Sequence, residues 1–176
     1  ERCMRLSEAL TNFYMPRMET WLAAVGPYID VMLFSDDLGC QEGPLISPPM
    51  YRRCFKPWHA RLWKRAKEIA PNVNIHLHCC GGIVPLLPDL IEAGLESTNP
   101  VQITCRGMHP GDLKAAFGRQ LTFWGGGCDT RKVLPSGTPD DVRANVCDRV
   151  SEWRTGGGYV FQQVHNIMAE VPPENI

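Results

Sequence analysis

The chain has 176 residues, 44% of them hydrophobic and 21% charged, a balance that supports one domain with its own core. Its net charge of −1 supplies no field that would draw a nucleic acid or an anionic membrane. No apolar run approaches the ~20 residues that cross a bilayer, and the residues from Glu1 onward are polar and periodic, without the regions of a secretory signal.

Over residues 1–25, Met4, Leu6, Ala9, Leu10, Phe13 and Met18 recur at roughly helical spacing and predict a helix, kinked at Pro16. The chain opens without an initiator Met, so the native start is expected to lie earlier. Residues 28–34 form a short apolar run of strand length that ends at Ser35-Asp36-Asp37. A Gly- and Pro-rich loop follows. Ser47 before Pro48-Pro49 starts a helix expected to run to about Ala70. Residues 73–78 read as the second strand, ending in Cys79-Cys80-Gly81-Gly82, and residues 83–93 as a helix closed by Gly94. Residues 96–101 are a weak strand and 110–117 a short helix. Residues 121–124 are a strand that ends in Gly125-Gly126-Gly127. Thr138, with Pro139 at the first helical position, caps a helix to about Arg154, and residues 159–164 are the last strand.

Short strands alternating with helices, with no hairpin signal between them, imply right-handed βαβ units and a parallel sheet. No G-x-G-x-x-G follows the first strand, which argues against an open dinucleotide-binding sheet. A complete β/α barrel needs eight strands and ~250 residues. The five strands here would make about five C-terminal βα units of one, a partial (β/α)8 TIM barrel over residues 1–176 with its N-terminal strands missing.

The informative side chains collect where strands end, which in a β/α barrel is the catalytic face. Asp36 and Asp37 close the first strand and are candidate acids, bases or substrate anchors, with Gln41 in the next loop. On an extended segment residues two apart point the same way, so His78 and Cys80 face the mouth together while Cys79 points to the helix layer. An imidazole and a thiolate suit Zn²⁺, and His165 supplies a third ligand that leaves one position open, as in catalytic zinc sites. Asn99, Trp124 and Asn166 complete the strand-end set as substrate-binding candidates. His76 shares the parity of His78 but lies deeper and reads as a hydrogen-bonded core histidine; His59 and His109, near helix starts, read as solvated. The Lys and Arg residues between Tyr51 and Lys67 read as a solvated helix face. The eight cysteines include no Cys-x-x-Cys, and without a secretory signal they fit reduced thiols in a cytoplasmic protein.

Several blocks, in this order, resemble the uroporphyrinogen decarboxylase (URO-D) family. They are Asp36-Asp37-Leu38-Gly39-x-Gln41, Gly43-Pro44-Leu45-Ile46-Ser47-Pro48, His78-x-Cys80-Gly81, Asn99-Pro100-Val101-Gln102, Trp124-Gly125-Gly126, His165-Asn166 and Val171-Pro172-x-Glu174-Asn175. The resemblance implies a β/α barrel and two possible chemistries. One is metal-independent decarboxylation of uroporphyrinogen, in porphyrin biosynthesis. The other is zinc-dependent methyl transfer or demethylation between a corrinoid, carried by a partner protein, and a thiol or methylated small molecule. The methyltransferases bind zinc through a His-x-Cys pair, matched by His78 and Cys80, and a later Cys, whose place is taken here by His165. Histidine can still ligate zinc, but a softer S-ligand set is lost. The decarboxylases also carry a His near this place and lack His-x-Cys-Gly. The expectation is a zinc-dependent methyl-transfer enzyme first and a decarboxylase second. As a third reading, the isolated chain is an inactive half-barrel that self-associates through its open sheet edge.

Overall fold

The computed structural model describes residues 1–176. Helix α1 (Arg2–Val25) runs unbroken through Pro16 and leads through a 3-10 turn into β1 (Val31–Ser35). The Gly- and Pro-rich loop that follows holds a small hairpin of β2 (Gly39–Cys40) and β3 (Gly43–Pro44), although the sequence carries no hairpin signal. The single helix expected over 47–70 is two: α2 (Pro48–Cys54) and α3 (Lys56–Ile69). They break at Phe55, where φ is −122° and ψ −48°, because Pro57 has no N–H to return to the carbonyl of Arg53. Ser47 does cap α2, its hydroxyl accepting the Met50 N–H at 3.4 Å.

Next come β4 (Asn74–His78), a 3-10 turn and α4 (Leu87–Glu92), where Pro85 and Pro88 break up the longer helix the spacing suggested. After β5 (Ser97–Asn99) the chain turns at Val101, whose φ of 56° ends the extended run earlier than expected. Helix α5 (Pro110–Phe117), β6 (Thr122–Trp124), a single turn α6 (Val133–Ser136), α7 (Pro139–Trp153) and β7 (Tyr159–Val160) complete the order. The capping box of Thr138 with Asp141 forms at α7. Strand β7 is shorter than the predicted 159–164, but bonding continues past it, Gly127 N–H donating to Gln162 O at 3.0 Å.

The five long-range strands form one all-parallel sheet in the order β1-β4-β5-β6-β7, as in the C-terminal part of a β/α barrel. Register aligns the strand ends, Ser35 opposite His78 and His78 opposite Asn99. Alternation then divides the side chains. Phe34, Ile75, Leu77 and Phe123 turn to the helices, where Phe34 meets Trp63 at 6.2 Å and Phe123 meets Trp153 at 4.9 Å between ring centres. His76, His78 and Trp124 lie on the other face, where the ring of His76 meets that of Trp124.

The basic residues of α2 and α3 are not a simple solvated face. Arg52 and Lys56 both bond the carboxylate of Asp89 on α4, at 2.9 and 2.8 Å, and Asp89 is only 4% exposed. Lys56 also reaches Glu92, Arg65 bonds Glu19 of α1, and Lys67 bonds Glu96. Arg53, Arg61 and Lys64 are exposed as expected, whereas these four, with Arg52 and Arg65 still partly open to solvent, take carboxylate partners from elements distant in sequence.

Two measurements follow from this packing. Burial raises the Asp89 pKa, but hydrogen bonds from Arg52 and Lys56 outweigh it and leave the group below its ordinary value. A depressed carboxylate stabilises the fold above its unfolded-state pKa and loses that contribution as pH falls through the folded one. Asp89→Ala is therefore expected to lower stability by ~1–3 kcal/mol at pH 7, with the gap to wild type closing below about pH 4, read by urea melts across pH. The second concerns β1, which has a bonded partner on one edge only, with Leu33 56% exposed beside an apolar cleft of about 650 Å³ against α1. Light scattering of the isolated chain should find dimers or larger species, and a monodisperse monomer would contradict this.

Candidate functional site

The site is assembled at the C-terminal ends of the parallel strands. Strand parity sends Cys79 outward, where it is 2% exposed and its sulfur accepts the Leu38 N–H at 3.3 Å. Burial pushes this thiol up to about 12. His78 and Cys80 take the opposite face, as the spacing predicts. Cys80 Sγ lies 3.4 Å from His78 Nε2, and the ring centres of His78 and His165 are 6.3 Å apart. One donor atom from each of His78, Cys80 and His165 lies within 4.8 Å of the others, and all three residues are half-buried.

Hydrogen bonds set the chemical state of each group. Asn99 Oδ1 has no proton to give, so it accepts from His78 Nδ1–H at 3.0 Å. Burial first, and the nearby Asp37 carboxylate second, push the Cys80 thiol up to about 11. In the metal-free state it is therefore a thiol at neutral pH, with His78 Nε2 beside it. One layer deeper, Ser97 gives its hydroxyl proton to Asn74 and so accepts from His76 Nδ1–H at 2.8 Å. Burial lowers the His76 pKa and keeps that ring neutral, the hydrogen-bonded core histidine that the sequence suggests.

The two candidate aspartates part company. Asp37 Oδ1 accepts the Cys80 N–H at 2.8 Å and so belongs to the His/Cys group. Asp36 Oδ2 instead accepts from His59 Nε2 at 2.8 Å, whose Nδ1 accepts the Tyr51 hydroxyl at 2.9 Å. His59 is thus not solvated. It is 7% exposed and stacked on Trp63 at 4.8 Å. Its position one turn before Trp63 and two before Ala66, on the buried stripe of α3, was the sequence signal that it faces inward. Burial drives the Tyr51 pKa well above its ordinary value, so this hydroxyl stays protonated. His109 is solvated as expected, its side chain 58% exposed.

Of the substrate-binding candidates, Asn99 is committed to His78, and Trp124 sets its ring edge-on to His76 at 5.0 Å. Gln41 holds the loop after β5, donating to Thr104 O and accepting from Cys105 Sγ at 3.6 Å. Asn166 is exposed. Gly125 serves close chain approach: with φ at 126°, a Cβ there would sit 2.1 Å from Pro100 O.

The donor set fits a zinc-type metal. Tetrahedral Zn²⁺ with N and S ligands at 2.0–2.3 Å places those ligand atoms ~3.5 Å apart. The 3.4 Å between His78 Nε2 and Cys80 Sγ matches, and the His165 ligand atom lies within 4.8 Å of both.

A parallel sheet with its titratable groups gathered at the strand ends defines a β/α-barrel scaffold of the enzyme type. Residues 28–176 match the profile of the family described as uroporphyrinogen decarboxylase (URO-D), and the chain belongs to that family. Among solved structures it is similar in fold to a methyltransferase from Methanosarcina mazei, with 22% sequence identity and a TM-score of 0.67. The match covers 94% of this chain and 44% of that one, so the chain spans less than half the length of that structure. No curated protein matches the sequence.

The raised Cys80 pKa gives a direct check. In metal-free protein, alkylation of Cys80 near pH 7.5 should be slow beside that of exposed Cys3, Cys40 and Cys147, and should climb steeply toward pH 11. Asp37→Asn removes the neighbouring charge and should speed it, as followed by peptide mass spectrometry.

Proposed function

We propose that this chain carries the reactive face of a zinc-dependent methyl-transfer enzyme of the URO-D family. The observation that carries the reading is the convergence of His78, Cys80 and His165, from two separate segments, on one point at the strand ends. His78 would ligate through Nε2 and Cys80 through Sγ, with His165 as the third ligand and the fourth position left for substrate. Zinc held there would keep a substrate thiol as the thiolate, the competent nucleophile at neutral pH. Asn99 bonds the His78 ring, and Asp37, which accepts the Cys80 N–H, would act as acid, base or anchor for an entering substrate. The methyl group would come from or go to a corrinoid held by a partner protein. The name of the similar archaeal structure agrees with this reading. A reduced Cys80 suits a cytoplasmic setting, and no helix is long and apolar enough to cross a membrane.

The second reading is metal-independent decarboxylation of uroporphyrinogen, favoured by the family's description and by a histidine at position 165. Elemental analysis separates the two. Zinc-dependent methyl transfer requires about one zinc per chain in the wild type and none in Cys80→Ala. Metal-free wild-type protein would reduce His78 and Cys80 to packing and leave decarboxylation as the working assignment.

A further inference from the structure

We propose that Asn99 is a positioning residue for His78, holding the imidazole as the Nδ1–H tautomer so that Nε2 is presented to the ligand centre; this rests on the metal reading of the site. Parallel pairing of β4 with β5 places His76 opposite Ser97 and His78 opposite Asn99. His76 therefore meets Ser97 and lies beside Asn99, while His78 meets Asn99. The two contacts share a logic. Ser97 has already given its proton to Asn74 and can only accept from His76. The side-chain oxygen of Asn99 has no proton and can only accept from His78.

The consequence lies on the far side of the ring. With Nδ1 protonated, the bare Nε2 stands 3.4 Å from Cys80 Sγ, within the group shared with His165. Without the acceptor the proton is free to move to Nε2 and cover the lone pair that a metal needs. The ring also loses the bond that fixes its rotation. Outer partners of this kind typically change metal affinity by ~10–100-fold.

The test uses the whole 176-residue chain in wild-type, Asn99→Leu and Asn99→Asp forms, each checked for folding by circular dichroism. Long-range ¹H–¹⁵N spectra of the metal-free proteins read the His78 tautomer, and Co²⁺ titration followed by visible absorption reads affinity. The expected result is Nδ1–H in the wild type, a move toward Nε2–H in Asn99→Leu with Co²⁺ binding ~10–100-fold weaker, and recovery of both in Asn99→Asp, which keeps an acceptor. Nε2–H in the wild type overturns the proposal whatever the variants do. So does a folded Asn99→Leu with unchanged tautomer and affinity. If the tautomers behave as expected but the wild type binds no Co²⁺, the role of Asn99 stands and the metal reading fails.

Discussion

The parallel pairing of β4 between β1 and β5 is the constraint on which the site depends. Side-chain direction alternates along an extended chain, so one register decides the fate of five consecutive residues. Leu77 and Cys79 enter the core, while His76, His78 and Cys80 take the other face. A slip of one residue would put two imidazoles and a thiol into the helix layer and expose Ile75 and Leu77. Apolar burial against Trp63 and the outer helices resists that slip. The same pairing sets Asn99 against His78 and brings the Asp37 carboxylate, just after β1, to the Cys80 N–H.

The outer layer contributes through polar links as well as apolar ones. Asp89 gathers Arg52 and Lys56 and fixes α2 and α3 to α4. His59 joins α3 to the end of β1 through Asp36, with Tyr51 behind it. Adjacent residues of one chain thus face two layers, Asp36 the helices and Asp37 the ligand group. A single peptide unit separates the contact to His59 from the contact to Cys80.

Much of this was legible in the sequence, for a physical reason. Alternation of strands and helices follows from local patterns, and the parity rule needs only that residues 73–80 be extended, so the facing pair of His78 and Cys80 and the opposed Cys79 could be read directly. Its place at the end of the last predicted strand offered His165 as a third ligand, although no local pattern ties it to β4. What escaped was tertiary. The charges of α2 and α3 look solvated until α4 and α1 supply Asp89 and Glu19 as partners. His59 looks polar and peripheral until Trp63 stacks on it. The break at Phe55 was marked by Pro57, a local signal that the favourable start at Ser47 obscured. The substrate candidate Asn99 proved to face a neighbouring strand, because pairing partners are set by register between segments far apart in the chain.

The approach of His165 to His78 has a thermodynamic consequence. Three strand spacings separate β4 from β7 in the sheet order, ~14 Å along a flat sheet, yet the rings of His78 and His165 stand 6.3 Å apart. His165 lies past the end of β7, and the return of the chain there closes that gap. A ligand held between the two rings therefore acts as a chord across an arc. It would resist flattening, and by reciprocity a contact that favours the closed arrangement would tighten the grip on the ligand. Occupancy of the site and the approach of the two rings would then be two readings of one equilibrium.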